Sequence, residues 1–481
     1  MRIAGGYRDR GLAKSLDWWL VACWVLLVII GWANIYASIH STEPESIFSW
    51  GCRSGKQFVW IMSSLGIAGM ILFIIPPRVY EGLSLPIYAG VILLLIAVIF
   101  LGIEVKGSRS WFSFGPIRFQ PAEISKIATS LMLATVMSQL GYKIGRIKDF
   151  LMTAAIILLP MMIIILQSET GSALVYVGFI FMLYREGLSG WLIFMVGVAI
   201  LLFILTISVS PYVAALTLIC IASLCISLYS GRFKWWLIIG IPLFVIFGFL
   251  PKVFSIVAFL EGINPLWVLL GSTAVAIPFI AFQAFRERNM FTHLAIISTI
   301  GGLLLIFSAD FLFNDVLQDH QRKRIEVLLG MKEDPSGVGY NVNQSKIAIG
   351  SGGMFGKGYL NGTQTTYGFV PEQSTDFIFC TVGEEWGFTG CAFVIFLYIF
   401  LIWRIIHDAE RSREAFTRIY GYCVACCIFM HLFINIGMTI GLMPVIGIPL
   451  PFLSYGGSSM WGFTAMLFIF IVLYRNEKKY F

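Results

Sequence analysis

The sequence predicts an all-α, polytopic membrane protein with about fourteen transmembrane helices. Hydrophobic residues make up 58% of the 481 residues and charged residues only 12%, and the mean hydropathy is +0.86. Apolar runs of about 20 residues recur along the chain, which is the length that a helix needs to cross a bilayer. This composition excludes a soluble globular domain, and no nucleic-acid-binding motif accompanies the net charge of +7.

The predicted spans follow these apolar runs in chain order. They cover residues 18–39, 57–76, 82–102, 122–140, 151–167, 171–185, 189–208, 212–229, 234–250, 265–284, 291–310, 378–402, 417–440 and 459–474. Basic residues precede the first run, so the positive-inside rule predicts a cytoplasmic N-terminus. Counting spans from there, the C-terminal tail is also cytoplasmic, and the long polar segment 311–377 lies outside the membrane.

Cationic residues are unusually frequent in the segments predicted to lie outside, although short outer segments are normally poor in Lys and Arg. These residues are Arg53, Lys56, Lys106, Arg109, Arg118, Arg322, Lys323, Arg324, Lys332, Lys346 and Lys357. Their number indicates an anionic ligand on the outer face. The alternative is a folded outer cap in which the cations pair with neighbouring acidic residues.

Two charged residues lie deeper, at the start of the fourth span. Glu123 and Lys126 are three residues apart, so they share one helix face and should point together into the bundle. They form either an internal ion pair that joins helices, or a polar cavity in which Lys126 is the cation and Glu123 orients it. Glu169, in the turn between the fifth and sixth spans, is a second candidate of equally open role.

Asp376 immediately precedes the twelfth span, so its side chain should stand at the outer mouth of the bundle. A carboxylate there could act as a base, although Asp is also a common helix N-cap. Glu384 and Glu385 follow about two turns further along the same helix. They are either a structural pair or a second carboxylate of the same site, and the sequence leaves both interpretations open.

Two segments rich in glycine or proline flank these candidates. Residues 350–358 follow no predicted strand and lack the Gly-Lys-Ser/Thr ending of a nucleotide loop. We expect them to let the backbone fold closely over substrate or over the helix bundle. Residues 441–457 predict a broken or re-entrant segment, which is tolerated only where protein or a water-filled cavity covers it.

At this point the motifs resemble those of the SEDS family (shape, elongation, division, sporulation), and most closely its rod-shape branch. They are residues 111–115 (WFSFG), 120–126 (QPAEISK), 321–325 (QRKRI), 339–353 (GYNVNQSKIAIGSGG), 375–379 (TDFIF) and 449–459 (PLPFLSYGGSS). These motifs are long, occur in the family's order and span most of the chain. The resemblance implies a peptidoglycan glycosyltransferase that polymerises lipid II outside the bacterial cytoplasmic (inner) membrane, together with a class B penicillin-binding protein.

The resemblance also implies a domain organisation with one departure from the family. Members have about ten spans, so residues 211–310 read as four inserted helices, an even number that keeps the long loop outside. The predicted regions are a cytoplasmic segment 1–17, a transmembrane core 18–210, the insertion 211–310, an extracytoplasmic loop 311–377, a second core 378–474 and a cytoplasmic tail 475–481. A second departure lies at 167–173, where the family's QPDLGTA reads QSETGSA. It keeps a carboxylate at Glu169 and leaves its geometry open.

The resemblance makes Asp376 the catalytic residue, and the chemistry agrees with this role. The diphosphate leaving group of lipid II needs neutralising cations more than a general acid, and the acceptor hydroxyl needs one base. An α-linked donor and a β-linked polymer predict a single displacement with inversion. The predicted substrate-binding residues are Arg109, Glu123, Lys126, Arg322, Arg324, Gln344, Lys346 and Ser454, and Glu169 and Glu385 are candidates for a second carboxylate.

Cofactors and competing functions complete the predictions. A divalent cation, Mg²⁺ or Mn²⁺, could share the neutralising role, but no His, Asp or Glu spacing defines its ligands, and the five histidines are expected to be structural.

A flippase of lipid-linked precursors would need charges along a path to both faces and broken helices in related halves. A membrane scaffold of the elongation machinery is the third possibility, and it does not explain Glu123 and Lys126.

Overall fold

The computed structural model describes residues 16–40, 46–105, 107–115, 117–256, 264–286, 288–311, 313, 322, 326 and 338–479. The chain divides into two compact units. The first unit comprises Met1–Leu188 with Asp334–Phe481, and the second comprises Ser189–Glu333.

Helices account for most of the described chain. In the first part of unit one they are α1 (Trp18–Ile39), α2 (Arg53–Phe73), α3 (Pro77–Gly82), α4 (Ser84–Leu101), α5 (Pro121–Met137), α6 (Ile147–Leu166), α7 (Thr170–Val175) and α8 (Phe179–Arg185), with a 3₁₀ turn, Tyr176–Gly178, between the last two. In unit two they are α9 (Gly190–Ser208), α10 (Pro211–Tyr229), α11 (Phe233–Trp235), α12 (Ile241–Ile256), α13 (Pro265–Arg286) and α14 (Met290–Phe311), with a π-helical turn, Trp236–Gly240, after α11. Unit one resumes with α15 (Val338–Ser351), α16 (Thr363–Thr366), α17 (Ile378–Glu410), α18 (Ala415–Thr439) and α19 (Gly457–Lys479).

The predicted class is confirmed. In the part of the chain that the structure describes, twelve helices are long and apolar enough to cross a membrane. Each of the fourteen predicted spans coincides with a helix or a helix pair. The two that fall short of the length criterion are α5, with 17 residues, and the interrupted helix Thr170–Arg185.

Helix starts follow ordinary capping chemistry. The Asp17 carboxylate accepts a hydrogen bond from the Trp19 amide at 3.0 Å and so caps α1. Pro121 and Pro211 occupy the first turns of α5 and α10. Proline is favoured there because its missing N–H would have no intrahelical partner. These local signals set where the helices begin.

A small antiparallel sheet precedes α5 and was not predicted. Its strands are β1 (Ile103–Val105), β2 (Ser108–Phe114) and β3 (Ile117–Phe119), in the order β1-β2-β3. Phe112 lies opposite Phe119 in the β2–β3 register, and Gly115 makes the turn with φ +63°. The sequence predicts an outer loop here, because the strands are too short to be distinguished from a polar linker.

Helices α18 and α19 form the centre of the first unit. In the most apolar 18-residue stretch of each of these helices, 83% of the residues are buried, compared with 22% in α2. Small residues allow this packing: a Cβ on Gly421 of α18 would lie 2.5 Å from the Phe470 ring of α19. Close approach at small residues is the usual way in which membrane helices associate.

In the second unit, α9 packs against α10 and α14. The sequence predicts that α9 belongs to the N-terminal core and that the insertion begins at residue 211. The described packing instead groups α9 with the helices of the predicted insertion. The predicted boundary between the core 18–210 and the insertion 211–310 stays a prediction.

Candidate active site

Asp376 lies in the turn immediately before α17, and its side chain is half-buried. Its carboxylate faces Gly447, where a Cβ would lie 3.3 Å from Oδ2 of Asp376. Gly447 lies in residues 441–456, which form neither helix nor strand. We call them the re-entrant segment after one of the two predictions for them, broken or re-entrant, and their placement in a membrane stays a prediction. Gly447 has a φ of +75°, which favours glycine. The N-cap residue of α17 is Phe377, and its side chain makes no capping hydrogen bond. Asp376 lies one residue before that position, so the alternative of Asp376 as the N-cap residue is wrong.

The chain before Asp376 is held by side chains of distant segments. The buried hydroxyl of Ser454 donates to the Thr375 carbonyl at 2.6 Å and accepts from the Leu450 amide at 2.9 Å. Arg53 donates to the Ser374 hydroxyl at 2.7 Å. Ser454 therefore fixes the backbone beside Asp376, and the substrate contact predicted for it stays a prediction.

Two polar side chains on one face of α18 bind the re-entrant segment. The amide nitrogen of Asn435 donates to the Asp376 carbonyl at 2.8 Å and to the Ile448 carbonyl at 2.6 Å. His431, one turn earlier, has its Nδ1 2.9 Å from the Pro449 carbonyl. Because a carbonyl only accepts, Nδ1 carries the proton and Nε2 carries the lone pair.

Asn435 is not among the residues that the sequence predicts for the site, and His431 is predicted to be structural. Their spacing of four residues, inside a span that is otherwise apolar, was the available signal. It was weak because the partners of both side chains are backbone carbonyls, which no side-chain pattern reveals.

Lys126 is enclosed by three partners. Its ammonium donates to Glu123 Oε1 at 2.8 Å, lies 2.9 Å from His431 Nε2, and stands 4.7 Å from the centre of the Phe463 ring. The side chains of Lys126 and Glu123 are only 1% and 3% exposed. The predicted ion pair is present, and Glu123 orients Lys126. A diphosphate would reach this ammonium only after the packing opens, so the roles of Glu123 and Lys126 in substrate binding stay predictions.

Glu169 lies beside the same re-entrant segment. It precedes α7, and its Oε2 accepts from the hydroxyl of Ser110 in β2 at 3.1 Å. Two residues later, a Cβ on Gly171 would lie 2.9 Å from the Ile448 side chain. Ile448 follows Gly447, which faces Asp376. The structure thus brings both carboxylate segments to one short stretch of chain.

The remaining predicted contacts in unit one lie on β2 and α15. Arg109 is 62% exposed and is 3.6 Å from Glu104 Oε2. Gln344 is half-buried and Lys346 is exposed. The Lys346 ammonium crosses the helix end at Gly441, where a Cβ would lie 2.6 Å from Nζ. Lys346 is therefore an exposed cation at the start of the re-entrant segment.

Arg322 is the one residue of the basic cluster 322–324 that the structure describes, and it belongs to the second unit. Arg322 is 3.1 Å from Glu326 Oε1, as the alternative of a folded cap predicts. Arg324 and Lys323 lie outside the described residues. Their predicted contacts with substrate stay predictions.

Glu384 is a structural carboxylate. It is fully buried and accepts from the Lys357 ammonium at 2.7 Å. The amides of Gln364 and Thr365 donate to it at 2.8 and 2.9 Å. These bonds attach the loop around α16 to α17.

Glu385 differs from its neighbour, although only 1% of it is exposed. Neither of its carboxylate oxygens has a hydrogen-bond partner of normal geometry among the described residues. Tyr359, whose pKa burial raises to about 12, lies near it and donates its hydroxyl proton to the Ala33 carbonyl at 3.0 Å. The role of Glu385 as a second carboxylate stays a prediction.

The glycine-rich residues 350–358 fold over the helix bundle. Helix α17 is interrupted at Gly387, whose φ and ψ are 66° and −162°. The loop supplies the missing hydrogen bonds: the Lys357 amide donates to the Glu384 carbonyl at 3.0 Å, and the Phe388 amide donates to the Gly353 carbonyl at 2.9 Å. Of the two predicted uses of this segment, packing over the bundle is confirmed.

Among the described residues, no group of three or more His, Cys, Asp or Glu side chains is placed to hold a metal ion. The predicted divalent cation therefore has no assigned ligands and stays a prediction.

With this geometry established, comparison with known proteins identifies the family. The family model FTSW_RODA_SPOVE, described as "Cell cycle protein", matches residues 17–237 and 266–479. The chain belongs to this family. The resemblance seen in the sequence is confirmed.

Curated members of the FtsW/RodA/SpoVE family are similar over most of the chain. The "Peptidoglycan glycosyltransferase MrdB" of Escherichia coli (strain K12) is 30% identical over 417 residues, which cover 86% of this chain and 84% of MrdB. The "Peptidoglycan glycosyltransferase RodA" of Treponema pallidum (strain Nichols) is 32% identical over 475 residues, which cover 98% of this chain and 100% of that protein.

Solved structures support the fold. The crystal structure of Thermus thermophilus rod shape determining protein RodA has a TM-score of 0.55 at 22% identity, over 96% of this chain and 97% of that one. A chain from the structure titled "Structural coordination of polymerization and crosslinking by a peptidoglycan synthase complex" has a TM-score of 0.58 at 24% identity, over 96% and 98%.

Proposed function

We propose that this chain is a peptidoglycan glycosyltransferase that polymerises lipid II into β-1,4 glycan strands during cell-wall elongation, with Asp376 as general base. Family membership and the activities named for MrdB and RodA support the reaction. The observation that carries the role of Asp376 is its position. Asp376 is half-buried in the turn before α17, its carboxylate faces Gly447, and it lies one residue before the N-cap position of that helix.

At the acceptor sugar, the proposed reaction requires one base from the protein, and Asp376 supplies it. Asp376 takes the proton of the acceptor sugar hydroxyl as that oxygen attacks the anomeric carbon of the donor. The bond from that carbon to the diphosphate breaks, and undecaprenyl diphosphate leaves. One displacement converts the α linkage into a β linkage, so a second nucleophilic carboxylate is not required.

Cations at the outer mouth stabilise the departing diphosphate. Lys346 is the best supported of the predicted ligands because its ammonium is exposed where the re-entrant segment begins. Arg109 is also exposed. Lys126 would join them only in a more open state, because its present partners enclose it.

The proposed topology has both termini in the cytoplasm and the site on the outer face of the bacterial inner membrane. The multi-pass fold and the distribution of Lys and Arg support it. A class B penicillin-binding protein is the proposed partner, and the solved relative described as coordinating polymerization and crosslinking supports a partner of this kind.

The test is polymerisation of purified lipid II by the purified full chain in liposomes, with and without a class B penicillin-binding protein. We expect glycan strands that a muramidase digests and that lengthen with time. Movement of labelled lipid II between leaflets without any polymer would contradict the proposal and favour a transporter. Neither activity, with the partner present, would favour a scaffold.

A further inference from the structure

One face of α18 connects the two charged groups of the site. Asn435 and His431 are one helical turn apart, and both are buried to within 1% of complete enclosure. Their side chains bind consecutive carbonyls of the re-entrant segment, Ile448 and Pro449. Those carbonyls lie in chain without helix or strand, so the side chains of α18 supply bonds that regular structure would otherwise provide.

Asn435 acts on two segments at once. It donates from one nitrogen to the Asp376 carbonyl at 2.8 Å and to the Ile448 carbonyl at 2.6 Å. Ile448 is bonded to Gly447, the residue against which the Asp376 carboxylate lies. The Asn435 amide therefore fixes the turn that carries the Asp376 carboxylate relative to Gly447, the residue that this carboxylate faces.

His431 extends this arrangement to the buried ion pair. Nδ1 bonds to the Pro449 carbonyl, and Nε2 accepts from the Lys126 ammonium at 2.9 Å. The ring is held further by an edge contact with Phe463, at 4.7 Å between ring centres. His431 thus attaches the ion pair of Glu123 and Lys126 to Pro449. Pro449 follows Ile448, to which Asn435 attaches the chain at Asp376.

We propose that Asn435 is a positioning residue for the glycosyl transfer reaction, and that His431 supports it by holding the adjacent carbonyl. The inference rests on the proposed function, because it assigns Asn435 a task only if Asp376 is the base. A displacement of about 1 Å in a reacting group can lower a rate by about 100-fold. Neither side chain needs to touch substrate for this effect.

The first experiment compares Asn435→Ala with wild type and with Tyr420→Phe in lipid II polymerisation by the purified full chain. Tyr420 is a matched control because its buried hydroxyl also bonds from α18 to a carbonyl, that of Met466. It lies 15 residues from Asn435, roughly 22 Å along the helix. We expect Asn435→Ala to lower kcat about 100-fold with little change in KM, and Tyr420→Phe to keep kcat.

Asn435→Asp adds a readout that a purely structural role would not move. In Asn435→Asp the new carboxyl faces the Asp376 and Ile448 carbonyls, so it can donate to one of them only while it is protonated. We therefore expect the kcat/KM of this variant to fall relative to that of wild type as the pH rises and the new carboxyl ionises. A ratio of the two kcat/KM values that does not change with pH, in an active and folded Asn435→Asp variant, would overturn the inference.

Two substitutions of His431 separate its two contacts. In His431→Asn the amide nitrogen can replace Nδ1 and keep the Pro449 bond, whereas in His431→Gln the amide oxygen can replace Nε2 and keep the Lys126 bond. We expect the Asn variant to retain more of kcat than the Gln variant. The reverse order would mean that the ring serves Lys126 and not the carbonyls.

Folding and function are separated by the controls. Each variant is checked for a single elution peak and for thermal unfolding, and Asn435→Ser, which keeps one donor, replaces Asn435→Ala if the latter does not fold. Equal kcat in Asn435 variants and Tyr420→Phe, with an active wild type, would overturn the inference alone. An inactive wild type, with partner present, would instead overturn the proposed function.

Discussion

The carboxylate of Glu384 accepts a hydrogen bond from the ammonium of Lys357 at 2.7 Å, although the Glu384 side chain is fully enclosed. Its other oxygen accepts from the Thr365 amide at 2.9 Å. Glu384 lies two turns into the helix that follows Asp376. This one carboxylate therefore attaches the loop around α16 to the helix that follows the proposed base.

Glu384→Gln should destabilise the fold. The amide keeps the shape but turns one acceptor into a donor that faces the Lys357 ammonium or a backbone N–H. We expect a loss on the order of 3 kcal/mol in unfolding free energy, measured by thermal or denaturant unfolding in detergent. Glu104→Gln is the control because its pair with Arg109 is 59% and 62% exposed and contributes little. Equal effects in the two variants would contradict the role of Glu384.

Gly387→Ala should detach the glycine-rich loop from α17. A Cβ at this position would lie 2.3 Å from the Gly356 nitrogen, and the backbone has a φ of +66°, which an L side chain rarely adopts. We expect faster hydrogen exchange at residues 353–358 and a lower unfolding temperature. Gly66→Ala in α2 is the control, because nothing lies within 4 Å of its Cβ. Unchanged exchange in Gly387→Ala would contradict the assignment.

Lys346→Gln should weaken the binding of lipid II and also slow its reaction. Removing an exposed cation that contacts the diphosphate loses a charge-assisted hydrogen bond of about 1.5–3 kcal/mol. Because this cation also stabilises the departing diphosphate, we expect kcat/KM for lipid II to fall about tenfold or more, with kcat lowered as well as KM raised. The control, Lys148→Gln, removes an exposed lysine at the start of α6. A kcat/KM equal to that of Lys148→Gln would exclude Lys346 as a diphosphate ligand.

Glu169→Gln should slow the reaction without abolishing it. In the proposed mechanism Glu169 holds β2 through Ser110 and does not carry a proton. The Gln oxygen can still accept from Ser110, so a double-mutant cycle of Glu169→Ala with Ser110→Ala measures this bond and should give a coupling energy of about 1 kcal/mol in activity. Complete loss of polymerisation in Glu169→Gln alone would instead make Glu169 a second catalytic carboxylate.

The helical architecture was predictable because it depends on local properties. A run of about 20 apolar residues is sufficient to predict a span, and all fourteen predicted spans correspond to helical segments. The pairing of Glu123 with Lys126 followed from their separation of three residues on one helix. The position of Asp376 at a helix start followed from the end of the polar segment.

What escaped prediction depends on contacts between distant parts of the chain. Asn435 and His431 bind backbone carbonyls, so nothing in the side-chain pattern marks their partners. The interruption of α17 at Gly387 was also missed, because glycine is common in apolar spans and the bonds that compensate for it come from the loop at 353–358. Glu384 acquires its role from donors about 20 residues earlier in the chain.

The most direct test of the account is the initial rate of glycan polymerisation from lipid II by Asp376→Asn, in the presence of a class B penicillin-binding protein. Asp149→Asn makes the same chemical change at the start of α6 and is the control. If Asp376 is the base, the folded Asp376→Asn variant forms no detectable polymer while Asp149→Asn matches wild type. Polymerisation by Asp376→Asn at the wild-type rate would contradict the central claim and shift attention to Glu169 and Glu385.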